Sequence, residues 1–239
     1  MEEIYVLDRK VRLLQPEGGF RTSLDSVMLA SACPAKDGQS VLDLGCGVGG
    51  AGFCLLWRVD VKLTGIDINA EYIELARLNA GLNKPAEFHV SDIREFMPGE
   101  KPVFDHVILN PPYFEAGAHT PSPDPGRAVA NGHQEEDLSI ADWIKAAHRV
   151  VKSKGSMTII YPASGTDKII QAMGKSFGAI EIIPLWPKAG QEARRVIIRA
   201  IKDRQSPSRI LPGLILHEKD GNYTPEADSI LRNGNKIIP

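Results

Sequence analysis

Through the middle of the chain, short apolar runs that read as strands alternate with stripes that read as helices. Residues 40–45 (SVLDLG) and 62–68 (KLTGIDI) have strand character, and residues 49–58 (GGAGFCLLWR) and 70–82 (AEYIELARLNAGL) have helical character. Within the second helix, Tyr72, Leu75, Ala76 and Leu78 fall near one face, with Glu71, Glu74 and Arg77 elsewhere. Alternation of this kind marks βαβ units and a parallel sheet, an α/β fold.

The order continues with strands at 86–92 (AEFHVSD) and 104–110 (FDHVILN), a helix at 139–152, a strand at 156–162 (SMTIIYP) and a helix around 166–177. Ser139 and Asp142 have the spacing of a capping box, and Gly155 stands where a left-handed helix stop is expected. Residues 179–187 (AIEIIPLWP) and 194–202 (RRVIIRAIK) follow each other with too little chain for a crossover helix, so they should pair antiparallel. Ahead of the first parallel strand, Thr22 or Ser23 is in place to cap a helix running through Leu29. From about Ser206 the chain is polar and marked by Pro and Gly, with one more apolar run at 214–218 (LILHE) and a short helix after Thr224.

Composition adds limits. A chain of 239 residues with 43% hydrophobic and 24% charged residues and a formal net charge of -2 predicts one globular domain without a whole-molecule basic footprint. No run approaches the roughly 18 apolar residues of a membrane helix, and residues 1–10 lack a secretory apolar segment, so a cytoplasmic protein with no membrane partner is expected. Cys33, Cys46 and Cys54 are odd in number and lack Cys-x-x-Cys spacing, which favours buried free thiols. The histidines offer no His-x-x-x-His pair, and no metal site is read.

Candidate chemistry begins with the glycines. Gly45, Gly47 and Gly50 form G-x-G-x-x-G between a strand and a helix, the context in which backbone approaches a ligand and a helix N-terminus faces it. On its own the pattern permits a dinucleotide or another adenosine-bearing ligand. Asp67, at the tip of the second strand, is in place to bind both hydroxyls of a ribose, and Asp92, at the tip of the third, to receive an adenine amine. Asp43, ahead of the first glycine, would repel a pyrophosphate and suit a sulfonium or amino group.

At the end of the fourth strand, residues 110–113 (NPPY) stop both helix and sheet, because two prolines fix φ and lack N–H groups. The 24 residues that follow, 114–137, have no periodicity and are of a length that usually works as a lid or binding loop; Arg127 is their only arginine, free to meet a phosphate. Lys188, Arg194, Arg195, Arg199, Lys202, Arg204 and Arg209 gather late in the chain. Strand alternation puts Arg195 and Arg199 on one face and Arg194 on the other, giving either part of a nucleic-acid patch or the charged guard of an edge strand.

The motifs DLGCGVG, GIDI and SDI, at these intervals, resemble those of class I S-adenosylmethionine-dependent methyltransferases. The resemblance implies a Rossmann-like, seven-stranded, mostly parallel sheet with the last strand antiparallel and helices on both faces. It also implies that residues 45–49, with Gly45, Cys46, Gly47 and Gly49, pack around the methionine part of S-adenosyl-L-methionine. Asp67 would bind ribose, and Ile68 and Ile93 would sandwich adenine beside Asp92.

Asn-Pro-Pro-Tyr resembles the signature of enzymes that methylate planar nitrogens. By that likeness the Asn110 side chain and the Pro111 carbonyl each accept an N–H, Pro112 stiffens the turn, and Tyr113 offers a ring for stacking, worth roughly 1–3 kcal/mol with a nucleobase.

Residues 18–30 (GGFRTSLDSVMLA), 110–117 (NPPYFEAG), 122–130 (SPDPGRAVA) and 138–147 (LSIADWIKAA) resemble the bacterial tRNA adenine-N6 methyltransferases that modify valine tRNA beside the anticodon. That likeness implies tRNA as partner, Arg21 and Thr22 closing over the cofactor, and Phe114 and Arg127 near the RNA. It divides a single domain into an extension at 1–38, a core at 39–204 and a C-terminal extension at 205–239.

Protein glutamine methyltransferases share the tetrapeptide but carry an N-terminal helical domain, for which 38 residues are too few. A small-molecule amine methyltransferase, a non-catalytic adenosine-ligand sensor and a nicotinamide oxidoreductase each fit part of the same pattern.

Overall fold

A computed structural model describes residues 1–18, 22–113 and 138–237. Five strands run parallel: β3 (Ser40–Leu44), β4 (Lys62–Asp67), β5 (Glu87–Val90), β6 (Phe104–Leu109) and β7 (Val151–Pro162), in spatial order β5-β4-β3-β6-β7. Beyond β7 lies β9 (Arg195–Lys202), then β8 (Phe177–Lys188), and β9 is antiparallel to both neighbours. The seven strands read from the sequence are therefore present, with the last one reversed. Among the described residues the sheet has nine strands rather than seven, because β10 (Arg209–Ile210) and β11 (Leu214–His217) add parallel to the outer edge of β8. β10, at two residues, is too short to carry a periodic signal, and β11 falls on the apolar run read at 214–218.

Successive side chains of a strand face opposite ways, and adjacent apolar residues supply both cores. Val41, Ile108, Ile160 and Ile197 pack against α1 (Leu24–Ala32), α2 (Gly50–Arg58) and α6 (Pro225–Asn233). Leu42, Val107, Ile159 and Ile198 pack against α4 (Ile140–Val150) and α5 (Thr166–Met173). This two-sided burial is why the central strands read as continuous apolar runs. The three cysteines are buried free thiols, and among the described residues no helix is long and apolar enough to cross a membrane.

Most helix ends follow the expected chemistry. Ser23, not Thr22, caps α1 by accepting from the Asp25 N–H at 3.3 Å, and Ser139 and Asp142 form the capping box of α4. Gly155 does not stop that helix. The chain passes from Val150 straight into β7, and Gly155 lies within the strand, where a Cβ would come within 2.6 Å of the Asp105 carbonyl oxygen. Lys154, with φ 63°, takes the left-handed turn instead.

The buried face of α3 (Ala70–Leu82) is Ile73, Ala76 and Asn79, whereas Leu78 is 55% exposed. Asn79 displaces the expected stripe because its amide is fully used. Its Oδ1 accepts from Leu14 N at 2.7 Å, and its Nδ2 donates to the Leu14 and Val48 carbonyls, both at 3.0 Å. Leu14 belongs to a hairpin that periodicity does not mark, β1 (Glu2–Val6) with β2 (Val11–Gln15). Asn79 thus fastens the N-terminal hairpin to the loop that follows β3.

Candidate active site

The loop between β3 and α2 is built by backbone bonds that only a close-packed glycine turn permits. Gly45 and Cys46 both donate to the Ile66 carbonyl at 2.9 Å, which ties the loop to the end of β4. Gly45 (φ +73°) lies against the Trp143 indole, and Gly49 (φ +87°) against Phe53 and Phe88. A Cβ at either would come within 2.5 or 2.6 Å of ring carbons. Asp67 then fixes the loop's outer turn, accepting from Gly47 N at 2.8 Å and Asn69 N at 2.9 Å.

A cleft of about 270 Å³ opens at this end of the sheet. Gly45, Gly47, Asp67, Ile68, Asp92, Ile93, Asn110 and Pro112 line it, so residues from four separate motifs meet in one cavity. Beside it, sharing Gly45 and Asn110, is a recess of about 20 Å³ that adds Thr22, Asp43 and Cys46. Gly49 and Pro111 serve the walls from behind, as the cap residue of α2 and a buried turn residue. Arg21, Phe114 and Arg127, with the rest of the 114–137 segment, lie outside the described residues. Tyr72, Leu138 and Trp143 also line the cleft. Trp143 is legible in the sequence only as a core residue of an amphipathic helix.

The electrostatics are those of a site for a cation. Burial pushes the Asp43 carboxyl up to about 7, opposed by the Gly52 N–H at 3.0 Å and reinforced by the Asp67 charge. Asp67 is also raised by burial, against hydrogen bonds from the Asn69, Gly47 and Ile68 N–H groups. Among the described residues neither carboxylate forms an ion pair, so a positively charged ligand would relieve both and a phosphate would aggravate both. Asp92 differs. Arg94 hydrogen-bonds it, with Nε 3.1 and 3.0 Å from its two oxygens, and holds it below the usual carboxylate range.

Residues 35–200 match the family model described as "Methyltransferase domain". The chain belongs to this family. A tRNA1(Val) (adenine(37)-N6)-methyltransferase of Shewanella baltica (strain OS195) is 26% identical over 223 residues, covering 90% of this chain and 92% of that one. The protein of that name from Vibrio campbellii is 25% identical, over 90% and 89% of the two chains. A crystal structure of a predicted O-methyltransferase, protein Atu636 from Agrobacterium tumefaciens, superposes with a TM-score of 0.72 at 27% identity, covering 90% of this chain and 98% of that one.

Next to Pro112, Tyr113 meets Tyr161 edge to face at 5.7 Å, its hydroxyl 3.5 Å from Oδ1 of the cleft residue Asn110. The Tyr113 hydroxyl donates to Asp25 of α1, and the Arg195 guanidinium lies over the Tyr113 ring, 4.7 Å from the centroid. Arg195 Nε in turn donates to Asp25 at 3.1 Å. Part of the late basic run is therefore tied into the fold, while Arg194 and Arg204 are exposed. Besides Arg195, Arg199 pairs with Glu181 at 2.9 Å and bonds the Ala32 carbonyl, Arg209 also pairs with Glu181, and buried Lys202 caps the His148 and Val151 carbonyls at 2.7 and 2.9 Å. Arg195, Arg199 and Lys202 do not guard a sheet edge, because β9 is internal, whereas Arg209 lies on the outer strand β10.

Proposed function

We propose that this methyltransferase transfers a methyl group from S-adenosyl-L-methionine to the exocyclic N6 amine of an adenine in tRNA. The observation that carries the reading is the position of Asn110 and Pro112 on the same cleft as Gly45, Gly47, Asp67, Ile68, Asp92 and Ile93. An acceptor motif for planar amines and an adenosine-type cleft are then one cavity. The names of the relatives from Shewanella baltica and Vibrio campbellii support the substrate.

In this reading Asp67 receives the ribose hydroxyls, and the Ile68 and Ile93 side chains flank adenine beside Asp92. Residues 1–38 close over the ligand, with Thr22 packed on the glycine loop: a Cβ at Gly50 would come within 2.7 Å of Thr22 Oγ1. Asp43 and Asp67 suit the positive charge of the donor. S-adenosyl-L-methionine supplies an electrophilic methyl on a sulfonium.

An exocyclic adenine nitrogen is a poor nucleophile because its lone pair is delocalised into the ring. Asn110 Oδ1 and the Pro111 carbonyl accept its two N–H bonds, place it in line and set negative potential where positive charge develops. The prolines hold these acceptors before substrate arrives. Tyr113 supplies the stacking ring, with Phe114 and Arg127 contributing to the RNA side.

An O-methyltransferase, the name carried by the Agrobacterium protein, needs a base to take a hydroxyl proton. Among the described residues lining the cleft there is no histidine or lysine, and the carboxylates Asp67 and Asp92 already accept hydrogen bonds. Incubation with labelled S-adenosylmethionine and unmodified total tRNA, followed by nucleoside mass analysis, is expected to give N6-methyladenosine. Label in ribose 2′-O-methyl nucleosides, or in protein alone, would overturn the reading.

A further inference from the structure

The geometry points to Asp25 and Arg195 as positioning residues that hold the Tyr113 ring as a one-sided platform for the planar target group. This rests on the proposed transfer to an adenine amine and goes beyond it by assigning two residues outside the glycine loop and the Asn-Pro-Pro-Tyr turn. Four contacts fix the ring, one of them between its hydroxyl and Asn110 Oδ1 at 3.5 Å. The hydroxyl donates to Asp25 Oδ2, the Arg195 guanidinium lies 4.7 Å from the ring centroid, and Tyr161 meets the ring at an interplanar angle of 85°. The same Asp25 oxygen accepts from Arg195 Nε at 3.1 Å, so α1 and the start of β9 are joined through the tyrosine.

Tyr113 nevertheless stays 38% exposed, which leaves part of the ring open to a ligand. With the guanidinium on one face, the opposite face is where a flat group can lie, and the ring's tilt sets the tilt of whatever stacks on it. Such control matters because a displacement of about 1 Å at a reacting centre costs about 100-fold in rate.

Charge makes the pair more than a clamp. A lone guanidinium on the ring that carries the target would oppose an amine that turns positive in the transition state. Asp25, 3.1 Å from Arg195 Nε, cancels that charge while leaving the cation–ring contact in place. Asp25→Ala removes the anchor and uncovers the charge; Asp25→Asn keeps an acceptor for the tyrosine hydroxyl and removes only the charge.

The test is steady-state methyl transfer to unmodified tRNA by wild type, Asp25→Ala, Asp25→Asn, Tyr113→Phe and the Asp25→Ala/Tyr113→Phe double variant, with S-adenosylhomocysteine affinity measured by calorimetry and folding by thermal melting. Asp25→Ala and Tyr113→Phe should each lower kcat/KM about tenfold or more, with cofactor-product affinity within about twofold of wild type. Their double variant should lose far less than the product of the two single losses, because both remove the bond between the Tyr113 hydroxyl and Asp25. Asp25→Asn should lower kcat rather than raise KM, and adding Arg195→Gln should recover part of that loss, a rescue that a merely structural ion pair would not give.

Multiplicative losses in the double variant, unchanged turnover in Asp25→Ala, or a parallel fall in cofactor-product affinity would overturn the assignment while wild-type activity still upheld the proposed function. If wild type transfers no methyl to tRNA, the proposed function fails and this inference falls with it. Should Asp25→Ala not fold, the near-isosteric Asp25→Asn and Tyr113→Phe variants decide.

Discussion

The two ends of one strand, β6, put their polar residues to opposite uses. At the amino end, Asp105 accepts from Ser40 N and Oγ at 2.9 and 2.8 Å and from Lys152 Nζ at 2.7 Å. His106 lies between Ser156 and Gln39 at 2.7 and 3.0 Å. At the carboxyl end, Asn110 opens on the cleft beside a carboxylate, Asp43, whose burial is not offset by an ion pair among the described residues. Polar groups that satisfy one another cement a fold, and polar groups held in a cavity without a charge partner await a ligand. In an open α/β sheet that second situation belongs at the carboxyl ends of the strands.

The largest effect that would break this contrast is at Asn110. Asn110→Ala should lower kcat for methyl transfer by about 10²–10³-fold, the size lost with one preorganised acceptor or donor, and leave cofactor affinity within a few-fold. Unchanged turnover would place the amine elsewhere. Next, Asp67→Ala should weaken S-adenosylhomocysteine binding about 10–100-fold in calorimetry, because it removes an acceptor from the ligand and two anchors, the Gly47 and Asn69 N–H groups, from the loop. At the opposite end, Asp105→Ala should cost about 1–3 kcal/mol in chemical denaturation and leave kcat at low temperature untouched. A catalytic defect there would dissolve the distinction between the ends.

The smallest effect is also the most discriminating, because the two ends should respond to pH with opposite sign. Burial lowers His106 to about 4, below its ordinary 6.5. Its contribution is present above pH 6.5 and lost as pH falls toward 4, since the unfolded chain binds the proton more readily. Burial raises Asp43 to about 7 from 3.8. Its contribution is greatest below pH 3.8 and lost as pH rises through 7, since here the folded chain binds the proton more readily. Melting curves of His106→Gln should flatten on the acid side, and those of Asp43→Asn on the neutral to alkaline side; the reverse assignment would contradict the burial of both groups.

What the sequence disclosed tracks what side chains must do locally. The Gly45, Gly47 and Gly50 spacing, the carboxylates at strand tips and the two prolines each depend on neighbours a few residues away, and so they could be read. The N-terminal hairpin could not, because its turn places Leu7, Asp8 and Arg9 at φ 51°, 53° and 69° without the Gly or Asn that usually marks such a bend. The ties of Arg195 and Arg199 are hidden in the sequence for the converse reason. Their partners, Asp25 for Arg195 and Glu181 for Arg199, are 170 and 18 residues away, and charge density along the chain carries no record of them. Trp143 was readable as core, but not as the wall that presses on Gly45.

One carboxamide, that of Asn79, spends both its hydrogens and its oxygen on two stretches of backbone that lie 34 residues apart at Leu14 and Val48. The amino-terminal arm and the ligand cradle are in consequence pinned to one side chain, so its loss would free both at once.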